Sequence, residues 1–223
     1  MLTSELENLT VDPFDLSELR QSGAILRTAD GRGSAWFVRY GDTEAVLRHY
    51  YRGGLAGRVS RDRFVWLGLR RTRAFAEYRL LEWMLKQGLP VPEPLGARVE
   101  RAGAFYTCDL ITRAIPGTQT LAQRLRISPL EDALWSAVGE AVWRVHASGV
   151  WHADLNAKNL LLDEAGDVYL IDFDRCRRRQ GKAWQQQNLA RLQRSLEKLL
   201  RLGEINHYSE RCWQLLLSGY VRA

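Results

Sequence analysis

The chain has few lysines, few cysteines and no long apolar run, and each shortage narrows what it can be. No run of apolar residues approaches the length that is needed to cross a membrane. The N-terminus is polar and acidic, with Glu5, Glu7 and Asp12, and does not resemble a signal peptide. Three cysteines without CxxC or CxxH spacing predict reduced thiols rather than a disulfide framework or a zinc site.

Lysine is scarce although the chain is basic. The sequence has 32 lysines and arginines, a formal net charge of +6 and a pI of about 9.5. Lysine is absent before Lys86. A basic balance favours an anionic partner such as a nucleotide, a nucleic acid or an anionic membrane surface.

The strongest signal is a group of polar residues in the second half of the chain. His152, Asp154 and Asn159 form an HxDxxxxN pattern, and Asp172-Phe173-Asp174 follows thirteen residues after Asn159. The apolar segments 160–162 and 168–171 predict two strands joined by a turn. Such a hairpin would bring Asn159 and Asp172 side by side.

This arrangement predicts phosphoryl transfer from ATP. An amide oxygen and a carboxylate suit Mg²⁺ ions that carry phosphates, so Asn159 and Asp172 are the candidate metal ligands. Asp154 can orient a substrate hydroxyl and take its proton. The plain alternative is a hairpin with solvated carboxylates, but a carboxylate after a buried strand is costly unless it meets a cation or several donors.

Two further residues of this segment receive catalytic roles. His152 is expected to brace the loop by hydrogen bonding as a neutral imidazole and not to act as the base. Lys158 is expected to reach the γ-phosphate, with a plain surface lysine as the alternative. Asp174 is either close to the metal or a turn residue.

The nucleotide site is predicted in the first half of the chain. Gly31, Gly33 and Ser34 lie in a turn whose backbone N–H groups can approach phosphate oxygens, although the same residues also suit an ordinary hairpin turn. A lysine paired with a helix glutamate usually holds the phosphates. Here Arg48 occupies that place and Glu77 is its expected partner, although arginine is bulkier than lysine and not equivalent to it.

The order of elements predicts an α+β fold with two lobes that share a cleft. The first half predicts a small antiparallel β-sheet and a helix over 72–87, and the second half is mainly helical. We expect an N-lobe over residues 1–116 and a C-lobe over residues 117–223. Ser128-Pro129-Leu130-Glu131 predicts a capping box at the start of a helix.

At these residues the chain resembles the 3-deoxy-D-manno-octulosonic acid (Kdo) kinases, a group of the lipopolysaccharide kinase family in the protein-kinase-like superfamily. The matching segments are GRGSAWFV (31–38), VLRHYYRGGLAG (46–57), TRAFAEYRLLEWM (72–84), GLPVPEPLGARV (88–99), WHADLNAKNLLLD (151–163) and VYLIDFDR (168–175). They span most of the chain, and the VLRHYYRGG run points beyond a generic kinase. The resemblance implies a protein-kinase-like bilobal fold.

The resemblance also implies a reaction and its residues. It implies ATP-dependent phosphorylation of a Kdo hydroxyl, the 4-OH, on a lipid A precursor in lipopolysaccharide inner-core biosynthesis. By motif match Asp154 is the base, Asn159 and Asp172 hold Mg²⁺, and Arg48 with Glu77 positions the phosphates. The lack of a full GxGxxG and of the strand lysine argues against a protein substrate.

The expected location is the cytoplasmic face of the bacterial inner membrane, as a peripheral protein. Segment 51–73 mixes arginines with aromatic and aliphatic residues, which fits an anionic membrane surface, and no nucleic-acid partner is expected. A second basic cluster could bind the Kdo carboxylate or lipid phosphates, and a solvated basic face is the alternative for both. The second cluster consists of Arg175, Arg177, Arg178 and Arg179.

Other functions remain open from the sequence. The acceptor could be a heptose of the lipopolysaccharide core, or the chain could be a small RIO-like protein kinase. A pseudokinase scaffold that binds nucleotide or anionic lipid is favoured by Arg48 in place of lysine and opposed by the complete set of Asp154, Asn159 and Asp172. A nucleic-acid-binding protein is opposed by the absence of an aromatic and basic reading platform.

Overall fold

The computed structural model describes residues 1–7, 9, 12–28, 35–52 and 62–222. The chain divides into two compact units. The first contains Met1–Trp83 and Pro92–Ala114, and the second contains Met84–Val91 and Ile115–Ala223. The functional division into lobes at residues 116 and 117 stays a prediction.

The first unit is built on an antiparallel β-sheet. Its strands are β1 (Ile25–Thr28), β2 (Ala35–Tyr40), β3 (Thr43–His49), β4 (Phe64–Val65), β5 (Pro94–Ala102) and β6 (Phe105–Arg113). The order is β1-β2-β3-β6-β4, and β5 also pairs with β6. In the β3–β6 register Arg48 lies opposite Leu110 and His49 lies opposite Asp109.

The N-terminal segment covers part of this sheet. It contains the helices α1 (Ser4–Glu7) and α2 (Leu16–Gln21), and α2 begins where the Asp15 side chain accepts hydrogen bonds from two backbone N–H groups. Leu6, Phe14 and Leu19 are buried in one cluster with apolar residues of the strands. The helix α3 (Arg73–Lys86) follows the sheet segment β4 and ends before Gly88, whose φ is +67°.

The second unit is mainly helical. Its elements are β7 (Gln119–Thr120), α4 (Leu121–Ile127), α5 (Asp132–Ala147), β8 (Val150–Trp151), β9 (Leu160–Leu162), β10 (Val168–Leu170), β11 (Arg177–Arg178), α6 (Ala183–Arg201) and α7 (Glu210–Arg222). The predicted hairpin forms, with Leu162 opposite Val168 and Leu160 opposite Leu170. These four side chains are buried, which fixes the register of the two strands.

Helices α5 and α7 approach closely because each has a glycine at their contact. A Cβ atom on Gly139 would overlap the carbonyl oxygen of Leu216, and a Cβ atom on Gly219 would overlap the carbonyl oxygen of Ser136. Around this contact the helices bury Trp135, Val142, Trp213 and Leu216. The two glycines are therefore required by backbone contact rather than by helix propensity.

The expected α+β fold class is confirmed, but the capping box was assigned to the wrong segment. Ser128 ends α4, with its N–H donating to the carbonyl oxygen of Arg124, and α5 begins after Glu131 without a side-chain cap. A capping box is formed instead by Thr120 and Gln123 at the start of α4. The extended backbone at Ser128, with a φ of −152°, separates two helices and does not cap the second.

Among the described residues, no helix is both long and apolar enough to span a membrane.

Candidate active site

A buried histidine organises the catalytic loop, which we define as residues 152–159. His152 has no exposed surface. Its Nδ1 accepts a hydrogen bond of 3.2 Å from the backbone N–H of Asp154, so the ring hydrogen lies on Nε2. Nε2 donates to the carbonyl oxygen of Ile171 at 3.0 Å. The ring therefore joins the loop to the residue that precedes Asp172.

The surroundings of His152 keep its imidazole neutral. Burial lowers its pKa, while the hydrogen bond to Ile171 and the carboxylates of Asp172 and Asp154 oppose this with smaller effects. The charge of Arg191 lowers the pKa slightly further. Both ring nitrogens are engaged within the protein, as the predicted bracing role requires.

The structure brings Asp154, Asn159 and Asp172 together around His152. The Asn159 side-chain Nδ2 donates to the carbonyl oxygen of Asp154 at 2.9 Å, and the Ile171 N–H donates to the carbonyl oxygen of Asn159 at 3.0 Å. Asp172 is the next residue, and its carboxylate is close enough to affect the pKa of His152. The register of the hairpin thus produces the predicted neighbourhood of Asn159 and Asp172.

Asp172 has a backbone conformation that non-glycine residues seldom adopt. Its φ is +63°, in the left-handed region. Such conformations cost about 1–3 kcal/mol and concentrate at active sites, where the surrounding structure enforces them. The hydrogen bonds on either side of Ile171 hold the chain at this point.

The segment after Asp172 folds back onto the start of the catalytic loop. Phe173 is buried, and its ring centroid lies 4.8 Å from that of His152. The Sγ of Cys176 accepts a hydrogen bond of 3.1 Å from the N–H of Ala153. Strand β11 then pairs with β8, which places Arg177 opposite Trp151. The basic cluster is therefore adjacent in the sheet to the residue before His152.

Lys158 lies in the loop but is paired elsewhere. Its Nζ is 2.7 Å from Oε2 of Glu204, and both side chains are exposed. Exposed ion pairs of this kind are weak. The role of Lys158 at the γ-phosphate stays a prediction, and it requires that this pair open.

The predicted contact between Arg48 and Glu77 forms in the first unit. Nη2 of Arg48 lies 2.5 Å from Oε1 of Glu77, whose residue surface is only 3% exposed. The Tyr50 hydroxyl donates to the other carboxylate oxygen of Glu77 at 2.5 Å, and Arg48 also donates to the Tyr50 hydroxyl oxygen at 3.0 Å. The function of the pair as a phosphate-positioning group stays a prediction.

Sequence reasoning did not include Tyr50, although a signal for it exists. Tyr50 is two residues after Arg48 in an extended segment, where alternate side chains share a face. Gly31, Gly33 and Ser34, the predicted phosphate cover, lie outside the described residues.

Three residues of α6 that contact the catalytic loop were also missed. Asn188 donates through Nδ2 to the carbonyl oxygen of His152 at 2.8 Å and accepts from the His152 N–H at 3.3 Å. Arg191 forms an ion pair with the carboxylate of Asp154. Ser195 accepts a hydrogen bond of 3.3 Å from the N–H of Ala157.

The oxygen atoms of the Asn159 and Asp172 side chains fit a magnesium ion that arrives bound to phosphates. Within the described residues, no group of three or more histidine, cysteine, aspartate or glutamate side chains forms a metal cage. A phosphate-bound Mg²⁺ needs only one or two protein carboxylates and keeps several waters. The Asn159 amide donates through nitrogen to Asp154, which leaves its oxygen without a hydrogen bond from any described residue. Asn159 and Asp172 carry oxygen atoms of the kind that this ion prefers, and their role as metal ligands stays a prediction.

Comparisons with known proteins agree on one family. Residues 17–220 match the model of the "Lipopolysaccharide kinase (Kdo/WaaP) family". A 3-deoxy-D-manno-octulosonic acid kinase of Photobacterium profundum is 41% identical over 208 residues, which cover 93% of this chain and 87% of that protein. A protein of the same name from Xanthomonas axonopodis pv. citri is 44% identical over 199 residues, covering 83% and 80%.

Similarity to a solved structure is more distant. The Cydia pomonella granulovirus kinase PK-1 shares 14% identity with a TM-score of 0.48, over 73% of this chain and 56% of that one. A likeness at this distance says nothing about the reaction.

Proposed function

Because the chain belongs to the lipopolysaccharide kinase (Kdo/WaaP) family, we propose that it transfers the γ-phosphoryl group of ATP to a Kdo hydroxyl. The acceptor is a Kdo-bearing lipid A precursor, and the hydroxyl is the 4-OH. The curated relatives named as Kdo kinases support the sugar class. The single observation that carries the chemistry is the grouping of Asp154, Asn159 and Asp172 around the neutral His152.

In this reaction Asp154 orients the acceptor hydroxyl and takes its proton. The hydroxyl oxygen forms a bond to the γ-phosphorus while the bond from that phosphorus to the β–γ bridging oxygen breaks, and ADP leaves. Asn159 and Asp172 would hold Mg²⁺, and that ion would supply positive charge to neutralise the phosphates. Little covalent chemistry is required of the protein, so the hydrogen bonds that fix the loop account for much of its contribution.

Arg48 holds the nucleotide phosphates in this proposal. Glu77 and Tyr50 keep its guanidinium in one orientation, as their contacts of 2.5 and 3.0 Å support. A guanidinium can bind phosphate oxygens through two parallel N–H groups, which lysine cannot do.

The arginines of the basic cluster bind the anionic groups of the acceptor. Arg177 and Arg178 are exposed in β11, beside the strand that leads into the catalytic loop. Stacking on Trp151 orients Arg177 and Arg179, whose guanidinium carbons lie 5.7 and 3.8 Å from its ring centroid. A Kdo carboxylate or a lipid phosphate is the ligand that such a cluster suits.

The first unit docks on an anionic membrane surface. Val65 and Phe105 pair across β4 and β6 and are both exposed, and Leu67 and Leu69 follow on the surface. The arginines around these residues carry no ion pair within the described part of the chain, and they are Arg63, Arg70 and Arg71. Apolar side chains among arginines that have no ion-pair partner in the described ranges complement the interface of an anionic lipid layer.

The proposed function is tested with purified protein, ATP, Mg²⁺ and a panel of acceptors. We expect product mass increased by one phosphate on Kdo-bearing lipid A precursor and no product on heptose or protein acceptors. Asp154→Asn is expected to reduce kcat by at least ~10²-fold, because it removes the group that accepts the proton. Circular dichroism and melting temperature check that the variant is folded.

A control and two contrary outcomes complete this test. Asp163→Asn changes a carboxylate in the hairpin turn, outside the proposed site, and is expected to keep wild-type activity. Phosphorylation of a heptose but not of Kdo would show that the proposed acceptor is wrong and that the acceptor is a heptose. Near-normal turnover by Asp154→Asn would show that another group accepts the proton.

A further inference from the structure

One face of α6 contacts the catalytic loop at three successive points. Asn188, Arg191 and Ser195 follow each other at spacings of three and four residues, which places them on one side of a helix. Asn188 makes hydrogen bonds to the backbone of His152, and Arg191 forms an ion pair with the carboxylate of Asp154. Ser195 accepts a hydrogen bond from the N–H of Ala157. The helix thus follows the loop from its first residue to its sixth.

Asn188 is itself held from the other side by a buried histidine. Nε2 of His146 donates to Oδ1 of Asn188 at 3.0 Å, and Nδ1 of His146 accepts from the Tyr220 hydroxyl at 2.9 Å. Asn188 and His146 are both buried. These hydrogen bonds hold this end of the α6 face in place against the catalytic loop.

Arg191 differs from its two neighbours because it contacts a side chain that takes part in the reaction. The side chains of Arg191 and Asp154 are 48% and 52% exposed, so solvent and substrate can both reach the pair. The backbone of Asp154 is fixed by His152, Asn156 and Asn159. Its carboxylate has one protein partner within the described residues, and that partner is Arg191.

We infer that Arg191 is a positioning residue that sets the rotamer of the Asp154 carboxylate for proton abstraction from the acceptor hydroxyl. The inference rests on the proposed function for the identity of the reaction. Arginine suits this role because its charge is permanent and its planar fork fixes the direction of the contact. One carboxylate oxygen is held by Arg191, and the other remains available to the hydroxyl.

This role predicts an effect on kcat and little effect on nucleotide binding. Arg191 contacts the proposed base, whereas the proposed phosphate-holding group consists of Arg48 with Glu77. We expect Arg191→Gln to lower kcat by ~10–100-fold, since misplacement of a catalytic group by about 1 Å can cost 10²-fold. The KM for ATP is expected to change by less than about threefold. Arg191→Lys keeps the charge without the fork and is expected to recover part of the loss.

The matched control is Arg194→Gln. Arg194 lies one turn further along α6 and is exposed, and its side chain makes no hydrogen bond or ion pair with a described residue. The Arg194→Gln variant therefore makes the same change of charge on the same helix, at a side chain that has no described contact with the catalytic loop. Arg194→Gln is expected to keep the kcat, the KM and the melting temperature of the wild type.

A second readout does not depend on the acceptor. Hydrogen–deuterium exchange of the peptide that contains residues 152–159 is measured without substrates in the wild type and in both variants. We expect faster exchange in Arg191→Gln but not in Arg194→Gln. In an Asp154→Ala background the Arg191→Gln change is expected to add nothing, because the group it holds is gone.

The outcomes separate this inference from the proposed function. If the wild type phosphorylates Kdo and Arg191→Gln keeps its kcat, the inference is wrong and the function stands. If the wild type phosphorylates no Kdo acceptor, the proposed function fails, and the hydrogen–deuterium exchange measurement alone tests the inference. Unchanged exchange in Arg191→Gln, or an equal effect in the Asp154→Ala background, would then overturn the inference.

Discussion

Two histidines of this protein have pKa values shifted in opposite directions. The pKa of His49 is raised from 6.5, chiefly by its hydrogen bond to Asp109 at 2.6 Å and less by Asp62, although burial opposes this. The pKa of His146 is lowered to about 4, chiefly because it is buried among neutral partners. A carboxylate stabilises the charged ring of His49, whereas at His146 the hydrogen bond to the Asn188 amide offsets only part of the effect of burial on the pKa.

These shifts give opposite dependences of stability on pH. The contribution of His49 is complete below its ordinary pKa of 6.5 and is lost as pH rises through its raised pKa in the folded state. The contribution of His146 is present above 6.5 and is lost as pH falls towards about 4. The contribution of each residue must therefore be measured as a difference between the wild type and a variant.

We expect His49→Gln to destabilise the protein more at about pH 6 than at about pH 9. Glutamine keeps a neutral hydrogen bond to Asp109 but cannot carry the charge, so only the electrostatic part of the contact is lost. The free energy of unfolding in urea is measured for both proteins at the two pH values. A difference that is equal at both pH values would mean that folding does not raise the pKa of His49.

At the scale of the elements, the contact between α5 and α7 leads to a second stability prediction. Alanine is the better helix former by about 1 kcal/mol, so propensity alone favours replacing Gly139. The Leu216 carbonyl, however, is backbone and cannot move aside as a flexible side chain would. We expect Gly139→Ala to lose about 1–3 kcal/mol of stability despite its helix propensity.

Urea unfolding followed by tryptophan fluorescence measures this loss, since Trp135 and Trp213 are buried in the two helices. Glu140→Ala is the control, because the next residue of α5 is exposed and its replacement leaves the contact unchanged. A Gly139→Ala variant that is as stable as the control would show that the helices can move apart at no cost.

Regular elements with local signals were predictable from the sequence. The β9–β10 hairpin has apolar runs on both sides of a Gly-containing turn, and this pattern allowed the placement of Asn159 near Asp172. The pairing of Arg48 with Glu77 was also predicted, because a strand and the following helix carry the two charges. In each case the partners are close in sequence or belong to a recognisable motif.

Contacts made by the polar side of α6 could not be predicted in the same way. Leu189, Leu192, Leu196 and Leu199 mark its buried stripe. Asn188, Arg191 and Ser195 run beside it with the same period, so they can be recognised as a face. Their partners lie 36–38 residues earlier in the chain, and no local pattern connects them.

At the scale of the whole molecule, the proposed membrane surface predicts binding to anionic vesicles. We expect the wild type to co-sediment with vesicles that contain phosphatidylglycerol, and binding to fall with added salt because charge contributes to it. Val65→Ser combined with Leu67→Ser removes apolar side chains that are 53% and 64% exposed. The double variant is expected to lose most of this binding while keeping its melting temperature.

The control carries the same kind of change in the second unit. Ile127→Ser combined with Leu202→Ser removes side chains that are 66% and 57% exposed, far in sequence from the arginines of the first unit. Its vesicle binding is expected to equal that of the wild type. Equal losses in the two double variants, or no binding of the wild type to anionic vesicles, would contradict the assigned surface.

The three-point attachment of α6 to the catalytic loop has a practical consequence. Successive residues of a helix are about 1.5 Å apart along its axis, so a small slide of α6 would displace Asn188, Arg191 and Ser195 together. The outward flank of α6, which includes Arg194 and Lys198, is open to solvent. A nanobody or macrocycle that binds this flank and shifts α6 would disturb the catalytic loop and slow phosphoryl transfer from outside the nucleotide site. Such an inhibitor need not compete with cellular ATP.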